Sequence, residues 1–313
     1  MSTSTFTLFK PGTLWPSIVS RSEHAIATGA LHSIDTVATA VDAKGVRFVI
    51  RQVSSVARKH EEQGKQEGKQ EGQSRSADPF LPYEPDLFVA DVSATHVALL
   101  NKFNIVDHHL VIATRAFEEQ ESLLGLADFE AWWACLAEFD GLGFYNGGDQ
   151  AGASQRHKHM QIVPLPLGLD GTGVPIETLF AEAKHGEQTG TLPQLPFANA
   201  FTWLAPSTHQ RAARTAFERY EALLDALDIG VRRDDPSACP RQRAPYSLLV
   251  TPRWMLLVPR TTECAESISI NALGFAGSLV VRDASQLETI RRLGPLEVLR
   301  RVAREPRCDA FSS

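Results

Sequence analysis

The alternation of polar side chains between His157 and Gln161 constrains the fold of this chain more than any other feature of its sequence. The segment 146–164 begins with a glycine-rich polar stretch, continues with His-Lys-His-Met-Gln and closes with the apolar Ile-Val-Pro. Successive side chains of a β-strand point to opposite faces, so His157, His159 and Gln161 would share one face, with roughly 7 Å between neighbours. The segment therefore predicts a loop that runs into a strand with one polar face.

Two histidines at this spacing have the geometry of a metal site, although such residues also occur simply at protein surfaces. A metal site needs a third ligand, and the next residue on the face is Gln161, whose amide is a poor ligand for transition metals. The glycine-rich approach favours another chemistry, because backbone N–H groups and imidazoles together suit an anionic phosphoryl group. The residues alone thus favour phosphoryl chemistry and leave metal binding open.

His159, the middle residue of the row, is the predicted nucleophile. A neutral imidazole attacks phosphorus at pH 7 without an auxiliary base, provided that its other nitrogen keeps its proton on a hydrogen-bond acceptor. His157 and Gln161 flank the point of attack, and we expect both to donate hydrogen bonds to phosphoryl oxygens. Gln161 does not titrate, so it would bind without acting as an acid.

The loop before the histidines supplies further predicted donors to the phosphoryl group. These are the hydroxyl of Ser154 and the backbone N–H groups of Gly152 and Ala153. Lys158 lies between the two histidines and would point to the opposite face, so we expect it to be a surface or edge residue. Arg260 follows an apolar run, and arginines at strand ends are usually solvated.

The rest of the chain is rich in predicted strands, with helices between them, which predicts an α+β fold. Strands are expected at 45–53, 87–90, 96–104, 108–115, 246–251 and 254–259. The first of these is expected to join the main sheet or its flank. Apolar residues at spacings of three and four predict helices after Asp128, Ser207 and Ser285, each of which is expected to cap the helix that follows. Gly141 and Gly143 are expected to end the first of these helices.

Two low-complexity or proline-rich stretches divide the chain. Residues 59–77 form a near-repeat of Gly-Lys-Gln-Glu with no apolar residue to bury, which predicts a disordered, solvated loop. Prolines and glycines cluster after Pro164, which is where a domain boundary is expected. We therefore predict a catalytic region over 1–166 and a C-terminal region over 167–313.

Composition excludes several classes of protein. The net charge of −6 argues against a nucleic-acid surface as the main partner. The four cysteines are scattered without a C-x-x-C pair, so neither a disulfide framework nor a cysteine-based zinc site is indicated. No signal peptide and no apolar run long enough for a membrane span is evident. A cytoplasmic protein without a membrane partner is the expectation.

The segment 146–164, with its Gly-Ala-Ser-Gln-x-His-Lys-His-x-Gln core, resembles the active-site motif of the diadenosine tetraphosphate phosphorylases, also called ATP adenylyltransferases. These enzymes belong to the nucleotidyl-transferase branch of the histidine triad superfamily, in which a glutamine replaces the third histidine. Segments 79–84, 99–110, 254–260 and 270–277 resemble the family in the same order, so the resemblance covers about 45–302. It implies a histidine-triad-like antiparallel sheet with flanking helices and a C-terminal extension.

The resemblance implies a reaction as well as a fold. Diadenosine tetraphosphate and inorganic phosphate would give ATP and ADP through an AMP–histidine intermediate, and the residue match puts the AMP on His159. His157 and Gln161 would complete the catalytic set. The substrate-binding residues implied by the match are Asn146, Gly152, Ala153, Ser154, Gln155, Asn101 and Lys102.

The resemblance also bears on cofactors. The family commonly uses a divalent cation with its polyphosphate, and no carboxylate cage is visible in the sequence. Magnesium carried by the substrate is therefore expected, with no metal ligands in the protein and no tightly bound organic cofactor.

Two other functions are compatible with parts of the sequence. A hexose-1-phosphate uridylyltransferase has a His-Pro-His-x-Gln motif, and Lys158 in place of the proline argues against it, as does the absence of a recognisable cysteine–histidine metal site. A non-catalytic nucleotide sensor would keep the pocket, but the intact His159 and its flanking donors speak against it. His108 and His109 are expected to be one exposed and one packed histidine rather than a second active pair.

Overall fold

The computed structural model describes residues 7–54, 78–185, 189–205, 209–232 and 240–306. The predicted disordered loop at 59–77 and the predicted cap at Ser207 lie outside the described residues.

Helices and strands alternate along the described chain. The helices are α1 (Leu14–Thr28), α2 (Leu126–Leu136), α3 (His209–Ala226), α4 (Ala272–Phe275), α5 (Ala284–Leu293) and α6 (Pro295–Arg300). The strands are β1 (Thr36–Ala43), β2 (Val46–Val53), β3 (Phe88–Asp91), β4 (His96–Leu100), β5 (Leu110–Thr114), β6 (Gly141–Gly147), β7 (His159–Pro164), β8 (Lys184–His185), β9 (Gly190–Thr191), β10 (Ala200–Trp203), β11 (Val231–Arg232), β12 (Arg241–Gln242), β13 (Tyr246–Val250), β14 (Trp254–Pro259), β15 (Cys264–Ala265), β16 (Ile268–Ser269) and β17 (Ser278–Val281). Short 3-10 helices occupy Pro85–Leu87, Asp149–Ala151 and Pro175–Glu182.

A ten-stranded antiparallel sheet forms the centre of the protein, in the order β3-β4-β5-β7-β6-β13-β14-β10-β9-β8. The predicted strand pairs β4–β5 and β13–β14 are both present as adjacent antiparallel strands. Strands from before and after residue 166 thus lie in one sheet, and the division of the chain at 166 stays a prediction. The α+β fold is confirmed.

The two faces of this sheet carry separate cores because side chains alternate along each strand. Met160 and Ile162 of β7 pack into a core that includes residues of α1, α2 and α3. Phe144 and Val163 belong to a second core, formed with β2 and the C-terminal helices. The alternation predicted for β7 is therefore present, with Met160 and Ile162 on the side of the first core and His159 and Gln161 on the other side.

β2 is confirmed as a strand, but it does not extend the main sheet. It pairs antiparallel with β1 and parallel with β17 in a separate three-stranded sheet. Phe48 and Ile50 of β2 are completely buried in the second core. An alternating apolar pattern does not say which sheet a strand joins, because both sheets bury one face in the same core.

Two helix starts differ from those predicted. Gly125, not Asp128, is the N-cap of α2, and the Asp128 carboxylate accepts a hydrogen bond from the Gly125 N–H at 2.6 Å. Asp283, not Ser285, caps α5, accepting from the N–H groups of Ser285 and Gln286 at 3.0 Å. In both cases the sequence marked the right turn and the wrong residue, since several polar side chains near a helix start can reach the free amides.

Gly141 and Gly143 do not end α2. The helix ends at Leu136, and both glycines lie within strand β6. At Gly143 the reason is the close approach of α2, because a Cβ there would lie 2.6 Å from Nε1 of Trp132. The glycine lets the indole of the helix pack directly on the backbone of the strand beside β7.

Within the described ranges, no helix is both long and apolar enough to cross a membrane.

A methyl group at position 143 is expected to destabilise the protein. Gly143→Ala forces Trp132 or the β6 backbone to move and should lower the free energy of unfolding by about 1–3 kcal/mol. Gly173→Ala is the matched control, since its Cβ would be 3.5 Å from the nearest neighbour, a carboxylate oxygen of Glu177, and should change stability by less than about 0.5 kcal/mol. Urea unfolding of both variants measures the difference, and equal stabilities would contradict this account.

Candidate active site

His159 lies at the first position of β7 and lines a cavity of about 500 Å³. Its Nδ1 is 2.8 Å from the backbone carbonyl oxygen of His157, to which it donates a hydrogen bond. That bond places the ring proton on Nδ1 and leaves the Nε2 lone pair unprotonated. The predicted requirement for a nucleophilic imidazole is met by a main-chain acceptor two residues earlier.

Burial keeps this imidazole neutral. It lowers the pKa of His159 to about 4, while the hydrogen bond to the His157 carbonyl acts in the opposite direction. The ring of Phe80 lies 5.1 Å from the His159 ring and also lines the cavity, which makes its surroundings partly apolar. A neutral imidazole is the form that attacks phosphorus, so the site holds His159 in its nucleophilic state at pH 7.

Gln120 fixes the backbone on which His159 sits. Its Oε1 accepts from the His159 N–H at 2.8 Å, and its Nε2 donates to the carbonyl oxygens of His159 at 3.2 Å and Asn146 at 2.9 Å. One buried amide therefore ties the start of β7 to the end of β6. The sequence gives no signal for this role, because Gln120 belongs to no motif and lies in a loop.

His157 is buried behind His159 and does not line the cavity. Its Nδ1 is 2.6 Å from Oδ2 of Asp78, and its Nε2 is 2.8 Å from the backbone oxygen of Thr114. Both ring nitrogens have partners, so the structure does not provide the predicted donation from His157 to a phosphoryl oxygen. This histidine instead holds the carbonyl that orients His159, and Asp78 was not identified from the sequence.

Lys158 is buried, contrary to the prediction of a surface or edge position. Its Nζ lies 3.0 Å from Oε2 of Glu118 and 2.7 Å from Oδ2 of Asp128, whose other oxygen is 2.9 Å from Nε2 of His96. Burial lowers the pKa of Lys158, but the two carboxylates outweigh it and raise the pKa above its ordinary value. Lys158 is thus a fixed cation on the reverse side of the strand that carries His159.

Asp128 connects this charge cluster to helix α2. Burial acts to raise its pKa, but the hydrogen bond from His96 and the charge of Lys158 hold the pKa below its ordinary value. The same carboxylate accepts the Gly125 N–H at the start of the helix. The cluster therefore joins α2, β4 and β7 through ionic hydrogen bonds.

The glycine-rich loop does not offer the backbone donors that were predicted. The N–H of Gly152 donates to the carbonyl of Asp149 at 2.8 Å, and that of Ala153 donates to the carbonyl of Gly148 at 3.1 Å. Gly148 and Gly152 have φ of 91° and 90°, which glycine adopts without strain. The glycines turn the chain tightly, and the amides of Gly152 and Ala153 close that turn instead of facing a phosphate.

Arg260 holds this loop from inside the protein. The sequence predicts a solvated arginine, but Arg260 is only 2% exposed. Its guanidinium donates to the carbonyl of Ala151 at 3.0 Å, to Oγ of Ser247 at 3.1 Å and to the carbonyl of Ile270 at 2.8 Å. Burial lowers its pKa to about 10, which still leaves the group charged at pH 7. Arg260 is a structural cation.

The other predicted binding residues divide into two groups. Gln161, Ser154, Gln155, Asn101 and Lys102 line the same cavity as His159. Asn146 does not, since it is buried and its Oδ1 accepts from the N–H of Ala272 at 2.8 Å. Lys102 forms an ion pair with Glu84 at 2.8 Å at the cavity wall.

His109 is the buried member of the His108–His109 pair, and it lies next to Gln161. His108 is half-buried, with its Nδ1 3.1 Å from Oγ of Ser22. One histidine of the pair is packed, as predicted, while His108, which was expected to be exposed, is half-buried. The place of His109 opposite the strand that carries Gln161 could have been found only from the strand register.

In the part of the chain that the structure describes, no group of three or more His, Cys, Asp and Glu side chains is arranged to hold a metal ion.

Two family models of known proteins together match nearly the whole chain. The family model of the Ap4A phosphorylase N-terminal domain matches residues 4–182, and that of the ATP adenylyltransferase C-terminal domain matches residues 193–305. Diadenosine 5',5'''-P1,P4-tetraphosphate phosphorylase 2 of Saccharomyces cerevisiae is 27% identical over 240 residues, which cover 69% of this chain and 72% of that protein. Protein APA1 of the same yeast is 23% identical over 213 residues, which cover 64% and 65% of the two chains.

Solved structures show the same fold. The crystal structure of yeast Ap4A phosphorylase Apa2 superposes with a TM-score of 0.78 at 22% identity, over 96% of this chain and 97% of that chain. The structure of Apa2 in complex with Ap4A gives a TM-score of 0.74 at 19% identity, over 94% and 98%. The histidine-triad-like sheet predicted from the motif is confirmed by this similarity.

Acid is expected to destabilise the protein through the buried neutral histidines His159 and His109. His159 and His109 both have a pKa of about 4 in the fold, against about 6.5 in an unfolded chain. The unfolded state binds more protons in this range, so the stabilisation is complete above pH 6.5 and is lost as the pH falls towards 4. Between these values each histidine contributes a slope of about 1.4 kcal/mol per pH unit.

The matched variant is His159→Gln, which removes one of the two histidines that take up a proton on unfolding. Urea unfolding at pH 7.0, 6.0 and 5.0 should show a pH dependence of stability that is weaker than that of the wild type, by about 1 kcal/mol per pH unit between pH 6 and 5. An unchanged slope would show that His159 is not a buried neutral base.

Removing the buried cation is expected to be far more damaging than removing an exposed one. Lys158→Met leaves Asp128 without one of its partners and should cost about 3–5 kcal/mol of stability. Lys102→Met breaks a half-exposed pair with Glu84 and should cost at most about 1 kcal/mol. Thermal and urea unfolding compare the two, and losses of similar size would contradict the buried network.

Proposed function

This chain belongs to the Ap4A phosphorylase family, with its ATP adenylyltransferase C-terminal domain, and on that premise we propose that it cleaves diadenosine tetraphosphate (Ap4A) with inorganic phosphate to give ATP and ADP. The observation that carries the proposal is the state of His159. Its neutral ring lies in a cavity, with Nδ1 bonded to the His157 carbonyl and Nε2 left as a nucleophile. The yeast relative named as a tetraphosphate phosphorylase supports the choice of substrate.

The proposed reaction proceeds in two displacements at the same phosphorus atom. Nε2 of His159 attacks the α-phosphorus of Ap4A, an N–P bond forms, the α–β anhydride bond breaks, and ATP leaves. An oxygen of inorganic phosphate then attacks the same phosphorus, the N–P bond breaks, and ADP leaves. Nε2 regains its lone pair, and Nδ1 keeps its proton on the His157 carbonyl throughout.

The cavity wall supplies the polar contacts for this chemistry. Gln161 lies two residues beyond His159 on the same face and would donate to a non-bridging oxygen of the α-phosphate. Ser154 and Gln155, at the end of the glycine-rich loop, face the same cavity. Lys102 brings a positive charge to the wall, where its Nζ is paired with Glu84, another residue of the lining.

A divalent cation, Mg²⁺ in the simplest case, would arrive with the polyphosphate. Among the described residues, the cavity lining contains the imidazole of His159, amide, hydroxyl and ammonium groups and one carboxylate, that of Glu84. This donor set suits the phosphates better than it suits a bare cation, so the ion would act as part of the substrate.

Two other functions remain to be distinguished by experiment. Lys158 occupies the position of the proline in the uridylyltransferase motif, and its burial among carboxylates gives that position a structural role of its own. A sensor without catalysis would not need the Nε2 lone pair that the His157 carbonyl secures. Assays with Ap4A and with UDP-glucose as donors separate these functions, and turnover of the sugar nucleotide alone would overturn the proposal.

Incubation with Ap4A in the absence of phosphate is expected to leave AMP on the enzyme. Intact-protein mass spectrometry at neutral pH should show the mass of one AMP, together with release of ATP, and peptide mapping should place the adduct on His159. His159→Ala should form no adduct and lose phosphorolysis by about a thousandfold or more.

The control is His24→Ala, which removes a surface histidine paired with Asp86 outside the cavity. It should form the adduct as the wild type does. An adduct that persists in His159→Ala would rule out the assigned nucleophile, and turnover without any adduct would rule out the two-step route.

A further inference from the structure

Three polar side chains form a row across neighbouring strands beside the nucleophile. Asn101 follows β4, His109 precedes β5, and Gln161 lies in β7. The Asn101 N–H donates to the His109 carbonyl at 2.9 Å, and Gln161 pairs with Val111, two residues beyond His109. His109 is therefore directly opposite Asn101 and diagonal to Gln161, within reach of both side chains.

The orientation of the Asn101 amide is fixed by the main chain. Its Oδ1 accepts from the N–H of Phe103 at 3.2 Å, so its Nδ2 is the atom that faces His109, at 3.1 Å from Nδ1. An amide nitrogen only donates, and Nδ1 of His109 must therefore be the acceptor. The proton of the neutral ring is then on Nε2.

Gln161, on the adjacent strand β7, is the polar side chain that influences this ring from the other side of His109's strand pair with Asn101. Nε2 of His109 is fully buried and has no hydrogen-bond partner among the described residues. Burial lowers the pKa of His109 to about 4, against the effect of Gln161. The ring is thus neutral at pH 7 and carries a single N–H, on the unpartnered Nε2.

We propose that His109 is a positioning residue that decides which end of the Gln161 amide faces the phosphoryl group. The Nε2–H of His109 donates a hydrogen bond to the Gln161 side-chain oxygen, and the Gln161 NH₂ group therefore faces the cavity. This inference rests on the proposed function, in which Gln161 donates to the α-phosphate.

The need for such a residue follows from the chemistry of glutamine. The two ends of its amide are nearly equal in size, and one is a donor and the other an acceptor. A reversed amide would place oxygen lone pairs against an anionic phosphoryl oxygen. A histidine at the third motif position has no such ambiguity when protonated, whereas glutamine needs a neighbour that accepts only one orientation.

The tautomer of His109 tests the proposal without any activity measurement. Long-range ¹H–¹⁵N correlation spectra of the full chain, labelled at histidine, report which ring nitrogen carries the proton, and loss of one signal set in His109→Phe assigns it. We expect a proton on Nε2 and none on Nδ1 at pH 7.5. A proton on Nδ1 would overturn the proposal, and this result stands even if the enzyme fails to cleave Ap4A.

A double-mutant cycle separates positioning from a general structural role. His109→Phe should lower kcat/KM for Ap4A by about tenfold or more, mainly through kcat, in the wild-type background and by less than about twofold in Gln161→Ala. Equal losses in the two backgrounds would show that His109 does not act through Gln161.

If His109→Phe fails to fold, two further variants still test the proposal. Gln places an amide nitrogen near the position of Nε2, so His109→Gln should keep kcat within about threefold of the wild type. The side chain of His109→Asn places an amide nitrogen only near the position of Nδ1. This variant should therefore lose as much kcat as His109→Phe. Equal activity of the glutamine and asparagine variants would overturn the proposal.

Discussion

The hydrogen bond from Nδ1 of His159 to the carbonyl of His157 is the interaction on which the site depends. It fixes the tautomer of the nucleophile, and several distant residues keep its acceptor in place. Asp78 and Thr114 hold the His157 ring, and Gln120 holds the backbone of His159. On the reverse face, the buried Lys158 ties the same strand to helix α2 through Asp128. The strand is anchored on both faces, which leaves the Nε2 atom with little freedom to move.

Much of the fold could be predicted because it follows from local patterns. The β4–β5 and β13–β14 pairs are short apolar runs around a turn, and such patterns identify strands without knowledge of the rest of the chain. The sheet that β2 joins depends on β17, more than 200 residues away, and no local pattern encodes that pairing. The sequence predicts a helix stop at Gly143 because a glycine within a strand cannot be told from a glycine after a helix until the contact with Trp132 is known.

The site was predictable as far as its residues share one strand face. Alternation placed His159 and Gln161 together, and the structure puts both at the cavity. Alternation does not show that both nitrogens of the His157 ring have partners in Asp78 and Thr114. Nor does it show that the amides of Gly152 and Ala153 close their own turn. The sequence predicts a surface position for Lys158 because a lysine is expected in solvent unless carboxylates are buried beside it. Asp128, the buried carboxylate, is thirty residues away in the sequence, and no local pattern shows that the two meet.

The main sheet places the two matched regions of the family in one hydrogen-bonded ladder. β6, from the first region, pairs with β13, from the second, from Gly143–Val250 to Gly147–Tyr246. A chain divided between the regions would expose a long apolar edge at the middle of the sheet on each fragment, a surface prone to aggregation. The two regions match separate family models, yet each completes the sheet of the other, and the pairing of β6 with β13 joins them into one structural unit.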